Sequence, residues 1–338
     1  MSRAPSWRGP VLALGLLLLC TGLAFVVGRY PVTPADVVRV LWSRLVRSPS
    51  DVPGAVEAVI LNIRGPRVAA AILIGCALAT AGAAFQGVFR NPLVSPDLLG
   101  ASSGAALGAV IGIYLSLGVA GIQALSFAGG LAAVAAVTII GHRLRGPDGV
   151  LTLVLIGIVV GALLGAGVGL VKTLADPYNQ LPAITFWLLG SLSGVTAADL
   201  PPLLLPIAAG TLILIGLRWR MNVMSLSEDE ARSLGLSTER LRLVLVFAAT
   251  LVTAASVSAS GIIGWVGLVV PHVARFLTGP GFPRLLPVSA ILGASYLLLV
   301  DTLARTMAPV EIPLGVLTAV IGTPLFLALM RRSRTTWS

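Results

Sequence analysis

Few side chains in this sequence could carry out covalent chemistry, and their spacing argues against it. A nucleotide-binding P-loop requires GxxxxGK followed by Ser or Thr, but the single lysine, Lys172, follows Val171 in the run GLVKT. His142 and His272 have no neighbouring carboxylate or thiol that would complete a metal site. A membrane enzyme would need paired aspartates or an HExxH motif, and the sequence has neither. We therefore expect a chain that is not an enzyme and holds no metal or cofactor of its own.

The acidic residues lie at or beyond the ends of apolar segments rather than in the middle of them. This holds for Asp97, Asp176, Asp199, Asp301 and Glu311. Carriers driven by protons or sodium usually need carboxylates or histidines at membrane depth. The distribution therefore argues against an ion-coupled secondary transporter, which remains the alternative class of transporter.

The amino-acid composition indicates that these side chains are held by membrane-spanning helices. Hydrophobic residues make up 57% of the 338 residues and charged residues only 11%, with a mean hydropathy of +0.98. A soluble domain carries roughly 25% charged residues, whereas apolar runs long enough for a bilayer core of about 20 helical residues recur along this chain. The net charge of +10 comes from arginines in short loops, which is typical of membrane proteins and needs no nucleic-acid partner.

We predict an all-α, polytopic membrane protein with one domain, residues 1–338, and about ten transmembrane helices. The predicted spans are 11–28, 67–88, 98–117, 119–141, 150–171, 199–217, 241–259, 261–277, 285–300 and 313–330. An even number of spans places both termini on one side of the membrane. Most basic residues then fall on the same side as the termini, which identifies that side as the cytoplasm.

Two polar connections interrupt the predicted spans. The outer segment, residues 31–66, contains a short amphipathic helix at Ala35–Val46. The inner segment, residues 221–242, carries both signs of charge.

The inner segment contains signals for two helices separated by a corner. Ser227 and Glu230 have the spacing of a capping box, Gly235 suits a helix stop, and Ser237 can cap the helix that follows. Such a segment is either an ordinary well-capped loop or a platform for a soluble partner, and the residues alone leave both open.

Two glycine- and proline-rich features suggest close helix contacts or a path through the membrane. Gly157, Gly161, Gly165 and Gly169 recur every fourth residue, a spacing that allows helices to approach closely. This face either packs statically or lines a pathway. The stretch RNPLVSPDLLGASSGA, residues 90–105, ends the preceding helix at its prolines, and its Asp97 can cap the next one.

Several long motifs together resemble the FecCD-type permease family, the membrane subunits of ABC importers for iron-siderophores, haem and vitamin B12. They are RGPRVAAAILIGCALATAGAAFQGVFRNPLVSPDLLGASSGA, NVMSLSEDEARSLGL, VGLVVPHVAR, LLPVSAILGASYLLLVDTLAR and EIPLGVLTAVIGTPLF, and they extend over nearly the whole chain. The resemblance implies a type II ABC importer permease fold in the bacterial cytoplasmic membrane, with iron-siderophore as the expected cargo and haem or vitamin B12 as alternatives.

The resemblance also implies partners. They are a second permease subunit, identical or related, two cytoplasmic ATP-binding subunits that hold ATP and Mg²⁺, and an extracytoplasmic substrate-binding protein. Membrane lipid surrounds the complex, and no nucleic acid is involved.

The resemblance assigns two groups of site residues, and the small and polar residues along the predicted path form a third. Arg64, Arg67 and Arg305 would dock the binding protein, although Arg64 and Arg67 could instead anchor the second helix at the membrane interface. The ATPase-coupling residues would be Ser227, Glu228, Asp229, Glu230, Ala231, Arg232, Ser233, Leu234, Gly235 and Leu236. The translocation path would be bordered by Gln86, Asn91, Ser102, Ser103, Gly104, Gly157, Gly161, Gly165 and Gly169.

Overall fold

A computed structural model describes residues 8–144, 149–224, 226 and 228–333. The described part of the chain is built from α-helices. They are α1 (Arg8–Val26), α2 (Pro34–Val46), α3 (Gly54–Ala58), α4 (Gly65–Val88), α5 (Ala101–Tyr114), α6 (Val119–Leu144), α7 (Gly149–Leu174), α8 (Gln180–Leu189), α9 (Leu200–Gly216), α10 (Arg218–Met224), α11 (Glu228–Ser233), α12 (Thr238–Ser260), α13 (Val266–Thr278), α14 (Phe282–Ala304) and α15 (Leu314–Ser333). A π-helical turn at Val59–Arg64 joins α3 to α4, and 3₁₀ turns occupy Pro96–Leu99 and Ala197–Asp199.

Among the described residues, seven helical stretches are long and apolar enough to cross a membrane. They are Gly9–Val26, Gly54–Val88, Val119–Leu144, Leu151–Leu174, Ala197–Gly216, Thr238–Ser260 and Phe282–Ala304. Shorter apolar helices lie at Ala101–Tyr114, Gln180–Leu189, Val266–Thr278 and Leu314–Leu329. Each predicted span overlaps one of these helices, and α8 is an additional apolar helix that the sequence prediction missed. With 10 residues, α8 is too short to register as a span of about 20.

The centre of the bundle is formed by α4, α12 and α14. In the most apolar part of these three helices, 78%, 67% and 67% of the residues are buried inside the chain, whereas the figure for α7 is 6%. Glycines let α4 touch its neighbours backbone to backbone. A Cβ on Gly75 would overlap the carbonyl of Gly293 in α14, and one on Gly82 would overlap the carbonyl of Gly267 in α13. These small residues allow the close approach on which helix association in membranes depends.

The helix ends define two ends of the bundle. The α2 end contains α2, the last turn of α1 and the first turn of α4, and the α11 end contains α10, α11 and the loop after α4. At the α2 end the predicted outer segment is largely helical, because the helix that includes α4 already begins at Gly54 and runs for 35 residues. The amphipathic helix occupies Pro34–Val46, one residue longer at its N-terminus than predicted.

Candidate functional site

A cluster of three arginines and two carboxylates lies at the α2 end. Arg64, at the end of the π-helical turn, is only 4% exposed. Its guanidinium donates to the backbone carbonyls of Phe25, Val26 and Tyr30, the last at 2.6 Å. These bonds tie the start of α4 to the end of α1.

Arg67 and Arg305 surround the carboxylate of Asp301. Arg67 donates to Asp301 from Nε at 2.9 Å and from Nη2 at 2.8 Å, and it also binds Glu311. Arg305 lies 3.7 Å from Asp301 and donates to the carbonyl of Ala24. Asp301 lies in the last turn of α14, at a helix end as predicted, and it is buried there. The two arginines explain why a buried carboxylate is tolerated there.

The structure thus brings the three predicted docking arginines together but directs them into the chain. Their partners are carbonyls and carboxylates of α1, α14 and the loop before α15. The arginines thus fix helix ends within the chain, and the anchoring of the second helix at the membrane interface by Arg64 and Arg67 stays a prediction. Docking of a binding protein by Arg64, Arg67 and Arg305 stays a prediction.

A cavity with a volume of ≈ 230 Å³ lies beside the stretch that interrupts the chain after α4. Its polar lining consists of Ser95, Asp97, Ser102 and Thr253, and Trp265 also lines it. The Asp97 carboxylate accepts hydrogen bonds from the hydroxyls of Ser102 and Ser95. Asp97 does not cap α5 as predicted, because the 3₁₀ turn places Gly100, with φ of 78°, at the cap position.

Trp265 at the rim of this cavity has an unusual backbone. Its φ is +70°, which is a strained conformation for a bulky residue and one that is concentrated at functional sites. The ring contacts Phe326 edge-on with centroids 6.3 Å apart, and a Cβ on Gly322 would lie 2.8 Å from the Cβ of Trp265. Sequence reasoning did not select this residue; the glycines in GIIGWVG were the available signal.

Some of the other predicted path residues pack against neighbouring helices, and others face open space. Ser103 faces Gly161, whose added Cβ would be 3.7 Å from the Ser103 hydroxyl, and Gly157 packs tightly on the backbone of Leu98. Gly104 packs equally closely on Gly129 of α6. Within the described residues no atom lies near a Cβ added at Gly165 or Gly169. The glycine face of α7 is therefore partly a helix contact and partly a surface.

Gln86 and Asn91 lie away from the cavity lining. Gln86 is 2% exposed; its amide accepts from Arg275 of α13 and donates to the carbonyl of Leu268 at 3.2 Å. Asn91 is exposed, and its side chain accepts from the backbone N–H of Leu93 at 2.9 Å, which shapes the turn. Both side chains fix the α11 end of the bundle.

The predicted coupling segment forms two short helices, α10 and α11, followed by a corner. Gly235 has a φ of +79°, as a helix stop requires. Ser227 lies outside the described residues, so the predicted capping box with Glu230 is not described. Ser237 occupies the N-cap position of α12, as predicted, although its side chain makes no capping hydrogen bond.

Two hydrogen bonds fasten this segment to the bundle. Arg90, after α4, donates from Nε to the carbonyl of Met224 at 2.8 Å. The Asn222 side chain accepts from the backbone N–H of Phe282 at the start of α14, at 2.9 Å. Ala231 of α11 is fully buried. The segment is thereby connected to the two central helices α4 and α14.

A second polar pocket, which the sequence analysis did not anticipate, lies between α6, α8 and α12. It has a volume of ≈ 320 Å³ and is lined in part by Ser191, Ser193 and Ser258. Gln123 donates to Asp199 at 3.1 Å on its wall. Across the ranges described, no three His, Cys, Asp or Glu side chains group closely enough to hold a metal ion.

Comparison with known proteins gives one family. The model of the FecCD transport family matches residues 16–332. The chain is 36% identical over 320 residues to the molybdate import system permease protein MolB of Haemophilus influenzae, covering 94% of both chains. It is 42% identical over 280 residues to a Helicobacter pylori protein named a probable iron chelatin transport system permease protein, covering 83% of this chain and 84% of the relative.

A solved structure has the same fold. It is described as an inward-facing conformation of a metal-chelate type ABC transporter, with a TM-score of 0.86, 34% identity, and coverage of 96% of this chain and 99% of that chain. The molybdate relative lies outside the cargo classes that the motifs implied. The family match, the fold and the multiple apolar helices together show that this chain belongs to the FecCD transport family, as a multi-pass membrane permease of the type II ABC importer class.

Proposed function

We propose that this permease carries an iron-siderophore complex across the cytoplasmic membrane, driven by ATP hydrolysis in separate subunits. A second permease subunit, identical or related, completes the path, two cytoplasmic subunits bind ATP and Mg²⁺, and an extracytoplasmic binding protein delivers the cargo. Both termini and the α11 end face the cytoplasm, and the α2 end faces outward.

The observation that carries the ATP-driven part of this proposal is the attachment of the coupling segment to the central helices. α10 and α11 form a short helical platform that packs on the bundle through the buried Met221, Met224 and Ala231, and Leu226 and Leu234 beside α11 are exposed. The bonds from Arg90 to Met224 and from Phe282 to Asn222 link this platform to α4 and α14. A movement of this platform caused by an ATPase subunit would therefore be transmitted to α4 and α14, which form the core.

At the opposite end the docking proposal needs one rearrangement. Arg67 and Arg305 are bound to Asp301, which is deeply buried, whereas the Glu311 partner of Arg67 is more exposed, at 27% of its side chain. A carboxylate of the binding protein would replace Glu311 on Arg67. Charge pairs of this kind contribute mainly to the rate and register of association.

The cavity chemistry supports a hydrophilic chelate over a small anion. A carboxylate and three hydroxyl groups line the cavity beside Trp265. The Asp97 carboxylate would accept hydrogen bonds from amide N–H and hydroxyl groups of a siderophore complex, and so would the hydroxyl oxygens of Ser95, Ser102 and Thr253, while Asp97 repels an oxyanion. The relative named for iron chelatin transport agrees with this choice, and the relative named for molybdate import does not.

The test is uptake by vesicles that contain the permease with its ATPase and binding protein. Radioactive ferric siderophore, haem, vitamin B12 and molybdate are compared, each with the wild type and with Asp97→Asn. We expect ferric siderophore to enter fastest and Asp97→Asn to slow its entry. Faster entry of haem, vitamin B12 or molybdate would overturn the cargo assignment while leaving the permease assignment intact.

A further inference from the structure

The amphipathic helix α2 has two apolar faces on opposite sides. One face packs on the chain: Val40 and Ser43 are buried there, and Val40 belongs to a small apolar cluster with Val32, Val52 and Ile60. The other face is formed by Val38, Leu41, Trp42 and Leu45, which are all exposed. Their spacing of i, i+3, i+4 and i+7 places them on one continuous helical stripe. Leu45 is 76% and Trp42 is 63% exposed, so nothing in the described chain covers the stripe.

Basic side chains flank this exposed stripe. At 100° per residue, Arg39 and Arg44 fall on its two sides, and Arg47 follows directly after the helix. All three are exposed. Arg44 lies 3.3 Å from Glu57 with its side chain 67% exposed, which is a weak surface pair that leaves the charge available. The face is therefore apolar in its middle and cationic at its edges.

The position of α2 sets the depth of this face. Phe25, in the last turn of the apolar stretch Gly9–Val26, packs into the same cluster as Val40 and Ile60. The helical stretch Gly54–Val88 has 35 residues and so measures about 52 Å, well beyond a hydrocarbon core of about 30 Å. Since Ile60 lies near its outer end, α2 is at the level where both helices leave the apolar layer.

We propose that α2 is an interfacial helix that inserts Val38, Leu41, Trp42 and Leu45 into the bilayer surface at the α2 end, with Arg39, Arg44 and Arg47 on anionic phosphate headgroups. Helices of this composition lie in the interface plane with their apolar face in the headgroup and acyl boundary. Tryptophan favours this level, and arginine can reach from an apolar stem to the phosphates. The charge of the flanks selects anionic lipid rather than an apolar protein surface as the occupant.

The test measures the depth of a nitroxide label at Leu45. Leu45→Cys is made in a background of Cys20→Ala and Cys76→Ala, and the labelled protein is placed in vesicles of phosphatidylglycerol and phosphatidylcholine. The matched control is Asp51→Cys, which lies in the exposed loop after α2. We expect the ratio of collisions with oxygen to collisions with a water-soluble nickel chelate to be several-fold higher at Leu45 than at Asp51.

A second arm tests the arginines. Arg39→Gln, Arg44→Gln and Arg47→Gln are combined with the Leu45 label, and we expect the collision ratio to fall in vesicles with phosphatidylglycerol but not in pure phosphatidylcholine. Equal ratios at Leu45 and Asp51 would overturn the insertion of α2. A ratio that the arginine substitutions leave unchanged in phosphatidylglycerol would overturn the headgroup contact. Shielding of Leu45 that appears only after the soluble binding protein is added would assign the face to that protein instead.

Discussion

At the scale of single residues, the ion cluster at the α2 end is the most constrained feature. Asp301 is 2% exposed, and Arg67 holds it through two nitrogen atoms. A buried ion pair contributes little net stability compared with a well-packed apolar pair, but the loss of one partner leaves an uncompensated charge. The chain therefore depends on both partners being present.

Arg67→Gln should destabilise the permease strongly, because it leaves the Asp301 carboxylate buried with Arg305 alone. Loss of one partner of such a pair costs about 3–5 kcal/mol. The double variant Arg67→Gln/Asp301→Asn should recover part of this loss, because the buried carboxylate that lost its main partner is gone, although Arg305 and Glu311 keep their charges. Thermal unfolding in detergent measures both variants. A double variant that unfolds at the temperature of Arg67→Gln, or lower, would contradict the account.

The same pair of variants separates docking from anchoring. If Arg67 only anchors helices, the double variant should bind the binding protein as the wild type does. If Arg67 docks it, affinity should stay low even though stability has returned, and the difference should shrink at high salt.

At the scale of elements, glycine placement determines which helix contacts can be changed. Gly82 of α4 touches the backbone of Gly267 in α13, whereas Gly165 of α7 has open space beside it in the part of the chain that is described. Both glycines lie inside helices, so alanine at either site gains the same helix propensity. Only the packing differs between the two sites.

Gly82→Ala should lower the apparent unfolding temperature, because its methyl group meets backbone that cannot move aside. Overpacking of this kind costs about 1–3 kcal/mol. Gly165→Ala is the matched control and should leave the unfolding temperature unchanged or raise it. Equal loss from both substitutions would show that helix flexibility, rather than contact distance, explains the glycines.

Gly235→Pro should uncouple transport from ATP hydrolysis while the subunit still inserts in the membrane. Proline requires φ near −65°, but Gly235 is at +79°, so the corner after α11 must rearrange. Uptake should fall about tenfold or more, since a misfit of ~1.4 kcal/mol already corresponds to a factor of ten. Gly279→Pro is the control, as Gly279 has the same φ and open surroundings among the described residues. Comparable loss of uptake in both variants would argue against a special role for the corner.

The sequence predicted the long elements well and the pairing of side chains poorly. Helices α4, α12 and α14 follow from long apolar runs whose ends carry Gly, Pro and Ser. α8 was missed because the ten residues between Asn179 and Gly190 are too few for a full span. The partners of Arg67 lie 234 and 244 positions away, and spacing along a chain carries no information on such contacts.

At the scale of the whole molecule, the two ends of the bundle differ in what they offer to partners. The α2 end has an ion cluster that joins α1, α4 and α14 together with an amphipathic helix on its side. The α11 end presents a short helical platform bonded to α4 and α14. The same central helices, α4 and α14, therefore connect both ends.

The energy source of uptake tests this account most directly. The permease is placed in vesicles with its ATPase and binding protein, and entry of ferric siderophore is measured with ATP inside and with ATP depleted under an imposed proton gradient. The account predicts uptake with ATP whether or not the gradient is present, and none with the gradient alone. Uptake that continues on the proton gradient after ATP is removed would contradict it.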